Sequence, residues 1–215
     1  MSKMICLMGE SGSGKTTAMR TLDPSSTYYI DCDRKGLSWR GWREQYNAER
    51  KNFFQTRDLG QIGGVLMGIS EKRADIKTIV IDTLNTAMVD QEVKQMGSKD
   101  GYSKWIDLAQ NVWNICEAAA TLRPDLTVII VMHSETIRDD LGYSFTRVKT
   151  NGRKLEKVVL ESLFSTVFLA KTKEDGSHVF ETVARNSTAK TPMGAFDSPE
   201  IPNDMQAALD ALKEF

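Results

Sequence analysis

The sequence predicts an α/β fold in which a mostly parallel central sheet is flanked by helices and followed by an antiparallel C-terminal extension. Nearly continuous apolar runs at residues 3–8, 78–81 and 127–132 lack the alternation of a half-exposed strand, as strands covered on both faces do. Between the last two, Trp105, Leu108, Val112, Ile115, Ala119 and Leu122 recur at three- and four-residue steps, which places them on one face of a helix packed on the sheet. Toward the end, apparent strands at residues 165–170 and 178–184 are joined by the turn formers Glu174-Asp175-Gly176, so that pair runs antiparallel.

In chain order, the strand at residues 3–8 leads through a glycine-rich turn into a helix at residues 15–22, stopped by Asp23-Pro24. A strand at residues 27–30 ends in Asp31-Cys32-Asp33. A short strand at residues 52–55 precedes a helix at residues 59–73, in which Gly60, Gly63, Gly64 and Gly68 lower the intrinsic propensity. Arg123-Pro124 closes the long helical section. Residues 134–152 are polar and mixed in charge, the composition of a surface excursion or hairpin, and a helix is expected at residues 154–163. Met205, Ala208, Leu209 and Leu212 predict a last helix closing one edge of the sheet.

Bulk properties narrow the function classes. A chain of 215 residues with 40% hydrophobic content suits one soluble domain over residues 1–215. Lys and Arg number 28 against 29 Asp and Glu, so the net charge of −1 gives no global pull toward nucleic acid or anionic lipid. Cys6, Cys32 and Cys116 are scattered without a C-x-x-C pair, against a disulfide framework or structural zinc and in keeping with a reducing cytoplasm. No apolar run approaches the roughly 20 residues of a membrane span, so no membrane partner is expected.

The strongest motif is Gly9-Glu10-Ser11-Gly12-Ser13-Gly14-Lys15-Thr16, which fits G-x-x-x-x-G-K-[ST] between a strand and a helix. The glycines let successive N–H groups turn toward phosphate oxygens at the positive end of a helix. Lys15 supplies a point charge for β- and γ-phosphates, and the Thr16 hydroxyl is short enough to ligate magnesium. These residues and Thr17, next in the helix, make a P-loop that holds a nucleoside triphosphate, ATP with Mg2+. The partner element is Thr78-Ile79-Val80-Ile81-Asp82-Thr83, a strand expected beside the P-loop, whose Asp82 holds the magnesium; an acid there also suits a helix cap.

With these motifs in this order, the chain resembles the RecA-like ATPase branch of P-loop proteins, and more closely the small phage-encoded AAA-type ATPases related to ATP-dependent single-strand annealing proteins. Tyr29-Ile30-Asp31-Cys32-Asp33 stands where the family has a strand end and an acid that polarises the attacking water. The resemblance implies that role for Asp33, where the family usually has Glu, with Asp31 the alternative. Val131-Met132-His133-Ser134 matches a strand end carrying a γ-phosphate sensor, implied to be His133. Val183-Ala184-Arg185-Asn186 and Lys190-Thr191-Pro192-Met193-Gly194 look like the basic strand and glycine turn through which a cation reaches a neighbouring subunit's nucleotide. Arg185 or Lys190 would then be a finger acting in trans, and the protein a homo-oligomeric ring or filament working in the cytoplasm, a host's if phage-encoded.

RecA-like proteins also place DNA-binding loops where this chain has Arg138, Tyr143, Phe145, Arg147, Lys149, Arg153, Lys154 and Lys157. Cations and rings suit single-stranded DNA, since the former track phosphates and the latter stack on bases; Asp139, Asp140 and Glu156 interrupt the run. Trp39-Arg40-Gly41-Trp42-Arg43 is a second such mixture, equally suited to core packing of the indoles. The expected activity is a Mg2+-dependent ATPase acting on single-stranded DNA in recombination or replication by annealing or pairing. A small-molecule or nucleotide kinase with Arg138 and Arg147 in a lid, or a slow ATP-dependent switch or scaffold, uses the same P-loop.

Overall fold

The computed structural model describes residues 1–96, 103–138, 140–150 and 159–215. Its core is a sheet in which β1 (Lys3–Gly9), β2 (Thr27–Asp31), β3 (Phe53–Gln55), β4 (Thr78–Asp82), β5 (Thr127–Arg138) and β7 (Thr166–Thr172) run parallel in the order β3-β2-β4-β5-β1-β7. The antiparallel strands β8 (His178–Glu181) and β9 (Glu200–Pro202) extend the β7 side. This is the mixed α/β architecture with a C-terminal antiparallel extension that the apolar runs predict.

Strand alternation divides the sheet's side chains between opposite faces. Cys6, Met8, Ile30, Ile79, Ile81, Val128, Ile130 and Met132 pack beneath α3 (Leu59–Lys72), α4 (Leu84–Gln95) and α5 (Ser103–Thr121). Ile5, Leu7, Tyr29, Val80, Ile129 and Val131 face α1 (Lys15–Ala18), the 3-10 turn Met19–Thr21, the short α2 (Trp42–Gln45) and α6 (Met205–Ala211). Leu66 and Ile62 of α3 are fully buried, and each contributes about 1.5–3 kcal/mol. Gly63, Gly64 and Gly68 interrupt nothing, because the opposite stripe of α3, Leu59, Ile62, Leu66 and Ile69, docks on the sheet.

Several expectations are corrected. β4 brings Asp82 to Thr16 of the P-loop without pairing with the P-loop strand: β5 is inserted between β1 and β4 and pairs with both. β5 does not stop at Met132; it continues to Arg138 and pairs antiparallel with β6 (Ser144–Val148), so the described part of the polar stretch takes the hairpin alternative. The helix expected at residues 154–163 is, in its described part, the 3-10 turn Leu160–Leu163; residues 154–158 lie outside the described residues. β8 ends at Glu181, short of Arg185. The edge beside β8 is closed by β9, while α6 lies on the sheet face with Met205, Ala208 and Leu212 buried against Met19 and Leu22. The side chain of Trp105, Asp139 and the cluster Arg153, Lys154, Glu156 and Lys157 also lie outside the described residues.

Candidate nucleotide site

The loop after β1 is shaped by its glycines. Gly12 and Gly14 adopt left-handed φ values of +83° and +85°, and a Cβ on Gly9 would fall 2.5 Å from Ser13 Oγ and 2.8 Å from the Ala170 carbonyl of β7. Gly14 caps α1, so the N–H groups of the following turn open onto the loop. The Lys15 ammonium folds back over it, donating to the Gly9 carbonyl at 2.9 Å and the Glu10 carbonyl at 2.6 Å. Burial draws its pKa down to about 8, against the pull of Asp82 and Asp33, which favour the charged form.

Asp82, at the end of β4, is 4% exposed. Its Oδ2 accepts from the Tyr29 hydroxyl at 2.6 Å and its Oδ1 from the Thr83 hydroxyl at 3.1 Å, while the Thr16 hydroxyl also bears on it. Burial raises its pKa despite these three donors. Among the described residues it has no ion-pair partner. A desolvated carboxylate next to a threonine hydroxyl is a donor set that fits a hard divalent cation. Thr83, which follows, holds a left-handed φ of +63° at the start of α4.

The two acids separate because β2 ends between them, with Asp31 its last residue and Asp33 in the loop that follows. Asp31 is turned to the interior and fully occupied: it accepts from the Arg34 and Gly36 amides, each at 2.9 Å, and from Gln55 Nε2 at 2.8 Å. Asp33 faces the cleft, where it accepts from the Thr86 hydroxyl and pairs with the Lys35 ammonium. Burial pushes the Asp33 carboxyl up, but those two bonds outweigh it and hold its pKa below the ordinary carboxylate value. Of the two candidates, Asp33 is the one available to a ligand.

His133 is opposite Gly9 in the β1–β5 ladder, the last residue so paired before β5 leaves the sheet as a hairpin. Its amide donates to Asn85 Oδ1 at 2.7 Å, and Asn85 Nδ2 donates to the Lys149 carbonyl at 2.7 Å, fixing strand and hairpin base to α4. Burial first, then Lys15, keeps the imidazole below its usual pKa, so it is neutral at pH 7.

Asp33 and His133 line one cleft of about 240 Å³ with Ser11, Gly12, Gly14, Lys15, Thr16, Thr17, Thr83, Lys35, Ser38 and His178. Asp82 stands directly behind Thr16 and Thr83 of that wall. Sequence reasoning missed Lys35, Ser38 and His178. Lys35 was legible as the cation two residues beyond Asp33. His178 carries no local signal, because only the sheet order brings β8 to the P-loop, where its ring lies over Gly14. A second cleft of about 320 Å³, on the β7 side of the loop, is lined by Glu10, Ser11, Ser13, Ser134, Thr136, Thr146, Leu169, Ala170, Lys171 and Thr172.

Arg185 and Lys190 are exposed and neither lines the nucleotide cleft of this chain. Trp39 and Trp42 pack against the buried cluster of Tyr29 and Tyr46, with Arg43 over the Trp42 ring at 4.7 Å, so the core-packing alternative holds for the indoles. In the hairpin Arg138 is exposed, while Arg147 is paired with Glu135 at 2.9 Å.

A glycine loop at a helix N-terminus and polar groups gathered at the carboxyl ends of neighbouring parallel strands define a P-loop nucleotide-binding protein. The family model for an AAA domain matches residues 1–193, and the chain belongs to that family. It is therefore, at the level of class, a nucleotide-binding ATPase. No curated protein matches the chain. No helix among the described residues is long and apolar enough to cross a membrane.

Proposed function

We propose that the protein is a Mg2+-dependent ATPase acting on single-stranded DNA as a homo-oligomer, in annealing or pairing of the kind recombination and replication need. The observation that carries the hydrolytic part is the convergence of Lys15, Asp33, Asp82 and His133 around one cleft from four different strand ends. Gly9 to Thr17 cradle the phosphates, Thr16 and Asp82 hold the magnesium, and Asp33 accepts a proton from the attacking water. The metal supplies charge neutralisation at the phosphates. His133, neutral and opposite Gly9, reads the γ-phosphate and passes its state along β5 to the hairpin that bears Arg138. Arg185 or Lys190, exposed and away from the cleft of its own chain, serves a neighbouring subunit's nucleotide. The relation to phage annealing proteins and a cytoplasmic setting belong to the same reading.

The second cleft favours one rival: hydroxyls of Ser13, Thr136, Thr146 and Thr172 beside Lys171 are surroundings for a phosphoryl acceptor, as in a kinase. Phosphate release from ATP, measured with and without single-stranded DNA alongside solution mass, separates the two. DNA-stimulated release by an assembly supports the proposal. Transfer to a small acceptor by a monomer refutes it.

A further inference from the structure

We infer that Lys35 is a second phosphate-binding cation of the nucleotide cleft, held on Asp33 until a γ-phosphate displaces it. The inference rests on the reading that this cleft takes ATP. The loop carrying Lys35 is built, not incidental. Buried Asp31 ties down the amides of Arg34 and Gly36 at 2.9 Å each, and Arg57 donates to the Cys32 carbonyl at 3.3 Å and the Asp33 carbonyl at 3.0 Å. Arg34 and Gly36 both take left-handed φ values, +58° and +83°. The resulting turn brings Asp33 and Lys35 to the cleft wall and leaves Arg34 exposed.

Charge balance then argues for a use. Lys15 and Lys35 are the two ammonium groups among the described residues that line the cleft. A triphosphate brings about four negative charges, which one lysine and one divalent cation leave incompletely neutralised. The Lys35 side chain is 72% exposed against 17% for Asp33, so its hydrated head is free to swing away from the carboxylate toward a doubly charged phosphate. The exchange has a second effect. Asp33 loses the ammonium on Oδ2 and keeps the Thr86 hydroxyl on Oδ1, which opens one oxygen to a water beside the phosphate. Without a γ-phosphate, as with ADP, Lys35 returns to Asp33. Lys35 thus couples recognition of the terminal phosphate to release of the acid.

The test is the affinity of the full chain for ATP and ADP, measured by calorimetry with magnesium for wild type, Lys35→Ala, Lys35→Arg and Lys15→Ala. Lys35→Ala is expected to weaken ATP binding by about tenfold or more, the scale of one charge-assisted hydrogen bond, with ADP changed less than about twofold. Lys35→Arg should restore most of the ATP preference. Equal weakening of both nucleotides, or no change in either, overturns the inference while leaving the cleft assignment intact. ATP binding by wild type that Lys15→Ala does not reduce, or no binding by wild type, overturns the cleft assignment and this inference together.

Discussion

Replacing Tyr29 by Phe tests whether the Asp82 carboxylate is held by the core. Tyr29 is fully buried in β2, and its hydroxyl donates to Asp82 Oδ2 at 2.6 Å across the β2–β4 pair. The change removes one oxygen and leaves the ring contacts with Tyr46 and Trp39 in place. A hydrogen bond to a charged group is worth about 1.5–3 kcal/mol, and both partners are buried here. In a chain of this size that is a fall in Tm of roughly 3–12 °C. Asp82→Asn should be neutral or stabilising in the nucleotide-free protein at pH 7, because it removes a buried charge whose protonation the fold favours. The sign follows from the raised pKa of Asp82: its favourable contribution is present below the unfolded value and lost as pH rises through the folded one. Urea unfolding of wild type, both single variants and the double variant closes a double-mutant cycle. If Tyr29→Phe costs as much in the Asp82→Asn background as in wild type, the bond is not what anchors the acid and the reasoning fails.

Further outcomes follow from the same geometry. Asp33→Asn should slow phosphate release by about 10²–10⁴-fold in steady-state assays while ATP affinity is kept or rises, since Lys35 is no longer held by a carboxylate. With Asp33 held below the ordinary carboxylate value in the nucleotide-free protein, kcat/KM, which reports that state, should be retained to lower pH than a free carboxylate allows; an acid limb of kcat/KM at or above that value would exclude Asp33 as the base. Lys15, with a pKa near 8, should take up about half a proton on binding ATP at pH 8, read as a dependence of calorimetric enthalpy on buffer ionisation. In the nucleotide-free protein the same depressed pKa makes the Lys15 contribution to stability rise between pH 8 and 10.5, a slope that Lys15→Met should remove. Gly14→Ala should cost about 1–2 kcal/mol in urea unfolding through its left-handed backbone and abolish tight ATP binding. Since the added Cβ would lie 2.7 Å from His178 Cγ, His178→Ala should recover part of the stability, and no recovery would refute that contact.

The P-loop was legible because its strand, turn and helix are contiguous: backbone curvature, helix N-terminus and lysine all come from residues 9–17, so local sequence specifies local chemistry. The buried strands were legible for a related reason, since coverage on both faces demands apolar residues at every position. Asp33, Asp82 and His133 were recognisable as polar groups following apolar strands, but their meeting was not. It depends on β5 entering between β1 and β4, and its pairing with β1 joins segments more than a hundred residues apart, which no local pattern encodes. The choice of Asp33 over Asp31 depends on where β2 ends and on a loop with two left-handed residues, whose amides and Gln55 occupy Asp31 while Asp33 reaches the cleft. The hydroxyl on Asp82, the ring over Gly14 and the ammonium on Asp33 come from side chains whose partners are set by packing. Sequence alone determined that a triphosphate loop exists and which strands carry polar ends; tertiary structure decided which of those ends face it, because burial energy fixes strand order and faces only when the whole sheet is assembled.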